Sequence, residues 1–139
     1  MSALTPIDTD VLIDTALQIA EAVDCLSRIE RQSVLALSAI TQMELLVGCR
    51  NKVELRKTER FLCRFQVIKL NEQITDIAID LLRPCRLSHG LKIPDALIAA
   101  TAIMLGQPFL SKNQRDYLFI QGLQLLPYGA LSAQNGSPG

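Results

Sequence analysis

The sequence predicts a single α/β domain: a parallel sheet with helices on both faces. Three observations lead there. Short apolar runs alternate with longer segments of helical periodicity along most of the chain. The run VLAL at 34–37 is apolar at every position, as a strand covered on both faces must be. A length of 139 residues with 49% hydrophobic content supports one core and no second domain. Residues 1–131 read as that domain, and the polar, turn-rich 132–139 (SAQNGSPG) as a flexible tail.

The elements follow in order. Residues 3–8 (ALTPID) form a first strand, in which Pro6 removes a ladder donor. Residues 11–31 read as one helix, with Leu12, Ile13, Leu17, Ile19, Ala20, Val23, Leu26 and Ile29 as its apolar positions. After the second strand at 34–37, Thr41–Val47 is helical and Gly48 stops it. Residues 52–65 form a basic amphipathic helix, and 66–70 (QVIKL) a third strand. Residues 71–87 repeat Ile74, Ile77, Ala78, Leu81 and Leu82 at helical spacing, and Pro84 should kink or end that helix. Pro94 suits the first turn of the next helix, whose run ALIAATAIML is apolar all round and so buried, with Gly106 as its cap. Residues 107–111 and 123–126 are the fourth and fifth strands, with a turn or short helix at 113–119.

Composition narrows the class. Aromatics are 4% and Trp is absent, so the core is aliphatic. No apolar run approaches the roughly 18 residues that span a bilayer. No basic segment followed by an apolar run opens the chain, so a soluble cytoplasmic protein is expected. Cys25, Cys49, Cys63 and Cys85 form no CxxC pair and the chain has 1 histidine, which disfavours structural zinc; reduced, mostly buried thiols are expected. Charge is graded: residues 1–46 hold two bases against seven acids, and residues 47–92 ten bases against five acids. An acidic site beside a polyanion-binding face would give this pattern, and so would solvated helix faces.

The acids mark the candidate site. Asp8 closes the first strand, Glu44 follows the second, Asp116 follows the fourth, and Asp95 starts the buried helix. In open parallel sheets, ligand sites form outside the carboxyl ends of the strands. Four unpaired carboxylates converging there would repel one another, and a hard cation such as Mg²⁺ or Mn²⁺ relieves this. No histidine or cysteine is placed to make a softer site. Each acid also has a plain structural reading. Thr41-x-x-Glu44 matches a capping box, Asp95 suits a helix N-terminus, and Asp116 and Asp8-Thr9-Asp10 suit turns. Asp14 reads as a first-turn residue and His89 as a helix end.

Four strings carry a family resemblance. IDTDVLID at 7–14 resembles the opening motif of the PIN domain, and SAITQMELLVG at 38–48 its second motif. IPDALIAATAIMLGQPFLSKNQRDY at 93–117 is similar to its third and fourth motifs, and FIQGLQLLPY at 119–128 to the end of VapC-type toxins of bacterial type II toxin–antitoxin systems. The resemblance implies a three-layer α/β/α fold with a parallel four- to five-stranded sheet. It implies a Mg²⁺- or Mn²⁺-dependent ribonuclease that leaves a 5′ phosphate. It further implies a VapB-type antitoxin whose C-terminal part occupies the active-site groove, and a homodimer. Asp8, Glu44, Asp95 and Asp116 fall on the four acidic positions, as catalytic residues and metal ligands, direct or through water. Thr9 and Asn113 fall on supporting positions, and Asp10 stands where the family varies.

Lys112 and Arg115 flank Asp116 and are the first candidates for phosphate contacts; Arg56, Arg60 and Arg64 follow at one-turn spacing on the basic helix. The scarcity of aromatics argues against stacking platforms for an extended strand and favours a structured RNA such as tRNA. The main alternative is a catalytically inactive PIN-fold module that binds RNA or protein. A receiver-like domain using Lys112 would leave Glu44 and Asp95 unexplained, and no GxGxxG or GxxxxGK[ST] occurs.

Overall fold

The computed structural model describes residues 3–128; the proposed tail lies outside them. Within this range the elements are β1 (Leu4–Pro6), α1 (Thr9–Ala16), α2 (Ala20–Glu30), β2 (Val34–Ser38), α3 (Ala39–Val47), α4 (Lys52–Leu62), β3 (Gln66–Ile68), α5 (Glu72–His89), α6 (Ile93–Leu105) and a 3₁₀ turn at Gln114–Asp116. The strands run parallel in the order β1-β2-β3, with Leu4 opposite Val34 and Ala36 opposite Gln66. The expected fourth and fifth strands are reduced to single bridges, Ile7 to Leu110 and Phe109 to Leu125, which extend the sheet beyond β1. Among the described residues no helix is long and apolar enough to cross a membrane.

Pro6 fits its central strand because of ladder parity. The Ile7 amide donates to the Ala36 carbonyl on one side, and the Asp8 amide to the Leu110 carbonyl on the other. Alternation turns the Pro6 nitrogen toward the Leu110 side, one step before pairing begins there; only the Pro6 carbonyl is used, accepting from the Leu110 amide at 3.0 Å.

Strand alternation also builds the two cores. Ile7, Leu35, Leu37 and Leu110 face Val11, Leu12, Leu26, Leu62 and Phe65 from α1, α2, the end of α4 and the turn that follows it. Phe109 faces the opposite side, with Ile74, Ala78, Ala99 and Tyr117, over α5 and α6. Helices on both faces of the sheet make the three layers. Phe109 is fully buried and meets Tyr117 edge-on at 5.1 Å. Phe109→Ala should cost roughly 3–5 kcal/mol, read from urea unfolding.

Four expectations need correction. The helix read over 11–31 is two helices. The amides of Leu17, Gln18 and Ile19 close α1 onto Ile13, Thr15 and Asp14, with Gln18 left-handed at φ 63 where no glycine signalled a stop. The third helix starts at Ala39, because Ser38 rather than Thr41 caps it, accepting from the Ile40 amide at 3.0 Å. Helix α5 does not end at Pro84 but continues to His89; the carbonyl that proline leaves without a donor belongs to exposed Asp80, which solvent can serve. Of the thiols only Cys25 and Cys85 are buried; all four are unpaired, and Cys63 is exposed at the end of α4.

Candidate active site

The strand order reverses at β1: β2 and β3 lie to one side and the 109–110 segment to the other. The crevice above such a point is where open α/β sheets bind ligands. Asp8 stands in it, immediately after β1. Its Oδ1 caps α1 by accepting from the Thr9 amide at 2.8 Å, and its Oδ2 accepts from Ser111 Oγ at 2.8 Å. Asp8 is 6% exposed. Burial, and then the charge of Asp10, push its carboxyl up to about 7. Among the described residues no lysine or arginine pairs with it.

Glu44 comes to the same crevice from α3. Since Ser38 is the cap, Thr41 lies buried inside the helix and the capping-box reading fails. Glu44 Oε1 instead accepts from Thr9 Oγ1 at 2.6 Å, and the same hydroxyl lies 3.0 Å from Thr41 Oγ1. Thr9 thus ties α1 to α3 and fixes one carboxylate oxygen.

Asp95 sits in the first turn of α6, half-buried, and accepts from the Tyr117 hydroxyl at 3.3 Å. Burial raises its carboxyl above the ordinary range. The Tyr117 bond opposes this, and the charges of Asp116 and Glu44 add to it. Tyr117 is itself buried, and burial and then the Asp8 and Asp95 charges push its hydroxyl up, so it remains a proton donor. Asp116 ends the 3₁₀ turn and is exposed.

The four acids therefore lie within one another's electrostatic reach: Asp8 with Asp95, and Asp95 with Glu44 and Asp116. Among the described residues no three Asp, Glu, His or Cys side chains form a ready-made metal cage. The donor set nevertheless suits a hard divalent cation: it is all oxygen, it is over-supplied with negative charge, and its most buried member has no cation beside it. Side-chain rotation would have to bring the acids around an ion.

Asp10 and Asp14 take defined parts. Asp10 accepts from the amides of Lys112 (3.4 Å) and Asn113 (3.1 Å), and Asp14 Oδ2 pairs with Lys112 Nζ at 2.8 Å. Together they staple the 111–113 loop to α1, which keeps Ser111 against Asp8. The Asn113 amide also lies 3.1 Å from Ser111 Oγ. Lys112, expected to hold phosphate, is thus engaged by Asp14, while Arg115 is exposed. Arg64 is engaged too, bonding Glu30 at 2.8 Å and lying over the Phe61 and Phe65 rings. Arg56 and Arg60 are exposed on α4. Ser111 and Tyr117 were not singled out from the sequence, and Thr41 was read only as a helix cap; a hydroxyl residue beside each acid-bearing segment was the available signal.

Beside Glu44 runs a groove of about 680 Å³ between α1, α3 and α4, with Ile13, Leu17, Leu45 and Phe61 on its walls and Lys57 and Arg64 at hand. Arg56 and Arg60 are not on its walls.

The PIN domain profile matches residues 7–119, a span that holds all four acids. Ribonuclease VapC10 of Mycobacterium tuberculosis is 37% identical over 97 residues, 69% of this chain and 72% of that protein. Ribonuclease VapC19 of the same organism is 34% identical over 120 residues, 85% and 95% of the two chains. A toxin–antitoxin complex from Klebsiella pneumoniae contains a chain that superposes with a TM-score of 0.72 at 32% identity, covering 92% of this chain and 99% of that one. VapBC2 from Rickettsia felis, bound to a DNA fragment from its promoter, gives 0.76 at 22% identity over 88% and 97%, a likeness of fold.

Proposed function

The chain belongs to the PIN-domain family, in its VapC-type branch, and from that premise we propose that it is a metal-dependent endoribonuclease, the toxin of a VapBC-type pair. The observation that carries the chemistry is Asp8: a carboxylate buried at the sheet's switch point, in the field of Asp10 and Asp95, with no lysine or arginine paired to it among the described residues. Asp8, Asp95 and Asp116 would hold a Mg²⁺ or Mn²⁺ ion, directly or through water, and Glu44 would ligate it or orient the attacking water. When bound, such an ion neutralises charge on the scissile phosphate and lowers the pKa of a water by several units. The chain's own residues supply the alignment. Ser111 and the Thr9 amide fix Asp8, Tyr117 fixes one oxygen of Asp95, and Thr9 fixes Glu44. The substrate is RNA, and the groove beside Glu44 takes a segment of the VapB-type antitoxin, which would bury its apolar walls and block access to the acids.

The test is cleavage of total RNA by purified, antitoxin-free protein in Mg²⁺, Mn²⁺ or EDTA, beside Asp8→Asn. Metal-dependent cleavage that the variant lacks is the expected result. A folded protein that binds RNA equally with and without metal and never cuts it would be the non-catalytic module instead. A second variant tests the alignment. Thr9→Val removes the hydroxyl that holds Glu44 and should lower kcat about tenfold, a loss of about 1.4 kcal/mol, with RNA affinity unchanged.

A further inference from the structure

A second cleft, of about 650 Å³, opens where the C-terminal half of α5 meets the entry to α6. Its lining differs in kind from that of the groove beside Glu44. Among the described residues Arg83, Arg86 and Lys92 reach it and no carboxylate does, over an apolar floor that includes Ile79, Leu91 and Ile93. Ile79 is 44% exposed and Ile93 65%, so the floor is open to a ligand.

The cations are not equivalent. Gly90 ends α5 in a left-handed turn (φ 71), and this turn presents the Gly90 and Leu91 carbonyls to Arg86 Nη1 at 3.1 and 3.3 Å. Arg86 is therefore held in place by neutral acceptors. Its charge is not cancelled, and a guanidinium has further N–H groups to offer. Arg83 pairs with Asp80 at 2.6 Å, but both side chains are 71% exposed, and such a pair yields readily to a better partner. Lys92 is the residue before α6, three positions from Asp95, and its charge reaches that carboxylate. The cleft therefore opens at the same end of α6 that carries Asp95.

Cations in excess of anions around a partly exposed apolar floor suit a polyanion that also carries flat, weakly polar groups, which describes a nucleic-acid strand better than an acidic peptide. We propose that this cleft is a nucleotide subsite that seats the RNA strand beside Asp95, with Arg86 and Lys92 on backbone phosphates and a ribose or base on Ile79 and Ile93. The proposal rests on the ribonuclease reading and adds where the substrate is gripped. It moves the grip from α4, where Arg64 is already paired, to the α5–α6 elbow.

The experiment measures anisotropy of a fluorescent RNA that the wild-type protein cleaves, in EDTA, from 50 to 200 mM salt. Arg86→Met/Lys92→Met should weaken binding roughly 5- to 50-fold at the low end and reduce the slope of log affinity against log salt by about 1.4, two single-strand phosphate contacts. Lys92→Met alone, which leaves the Gly90 turn intact, should remove about half of that slope, so the test survives if the double variant melts early. Arg56→Met/Arg60→Met is the comparison. Unchanged slopes in the cleft variants, or a loss confined to the α4 pair, would overturn the subsite while leaving the nuclease standing. A wild-type protein that neither binds nor cleaves RNA would remove both readings. A change of sedimentation mass in the RNA-free cleft variants would make the cleft a protein interface and overturn the proposal.

Discussion

Asp8→Asn should abolish RNA cleavage, by about a thousandfold or more, and yet make the metal-free protein more stable at pH 8. Both effects come from one carboxylate. The rate loss follows from removing the most buried of the four acids; a thousandfold is about 4 kcal/mol of transition-state stabilisation, in the range that a lost metal ligand costs. The stability gain follows from burial without a cation. In the folded chain Asp8 takes up a proton at about 7, against an ordinary value of 3.8. Between those two values the folded state keeps a proton that the unfolded chain releases, so stability falls as pH rises from about 4 to about 7 and then levels. Three units at 1.36 kcal/mol each set a ceiling of roughly 4 kcal/mol on that loss. Asparagine cannot ionise, so it escapes the loss. It can still accept from the Thr9 amide and hydrogen-bond Ser111, so α1 keeps its cap. Urea unfolding in EDTA should show the two proteins closest at pH 5 and the variant ahead by roughly 2–4 kcal/mol at pH 8. Parallel curves across that range would mean that the Asp8 charge is compensated in the fold.

The same residue shows what was legible in the chain. Asp8 closes the first apolar run and Glu44 and Asp116 follow the second and fourth at a distance, so the rule that parallel strands deliver their carboxyl ends to one edge was enough to propose the three as neighbours. The glycine stops Gly48 and Gly106 were equally plain; Gly106 takes a left-handed conformation, while Gly48 ends α3 right-handed at φ -74. Other features depended on contacts far apart in sequence. Lys112 looked free beside Asp116, but its partner Asp14 lies 98 positions away. Arg64 looked like one of a basic stripe, but Glu30 claims it from 34 positions back. The break at Gln18 had no glycine to announce it, because α1 closes there through backbone bonds alone. Thr41 against Ser38 as helix cap was a competition between two good caps three residues apart, decided by where β2 ends. The outcome matters for function: had Thr41 been the cap, Glu44 would have turned back onto its own helix.

Asp116→Asn should behave differently from Asp8→Asn, and the contrast tests how the four acids divide the work. Asp116 is exposed at the end of a three-residue turn, and no hydrogen bond of its side chain fixes it among the described residues. A carboxylate so placed can turn toward an ion but is not built into the fold. Its loss should therefore cost affinity for the metal more than the rate at saturation. Cleavage at low Mg²⁺ should drop roughly 10- to 100-fold, equivalent to about 1.4–2.7 kcal/mol of binding, and most of the rate should return as Mg²⁺ is raised. The rise in melting temperature with Mg²⁺ should shift to higher concentration by the same factor, because an ion that binds only the folded state stabilises it in proportion to its affinity. Asp8→Asn should show no recovery at any metal concentration. If Asp116→Asn instead lost the same fraction of rate at every Mg²⁺ concentration, with the melting response unmoved, Asp116 would be acting on the substrate or the water rather than on the metal.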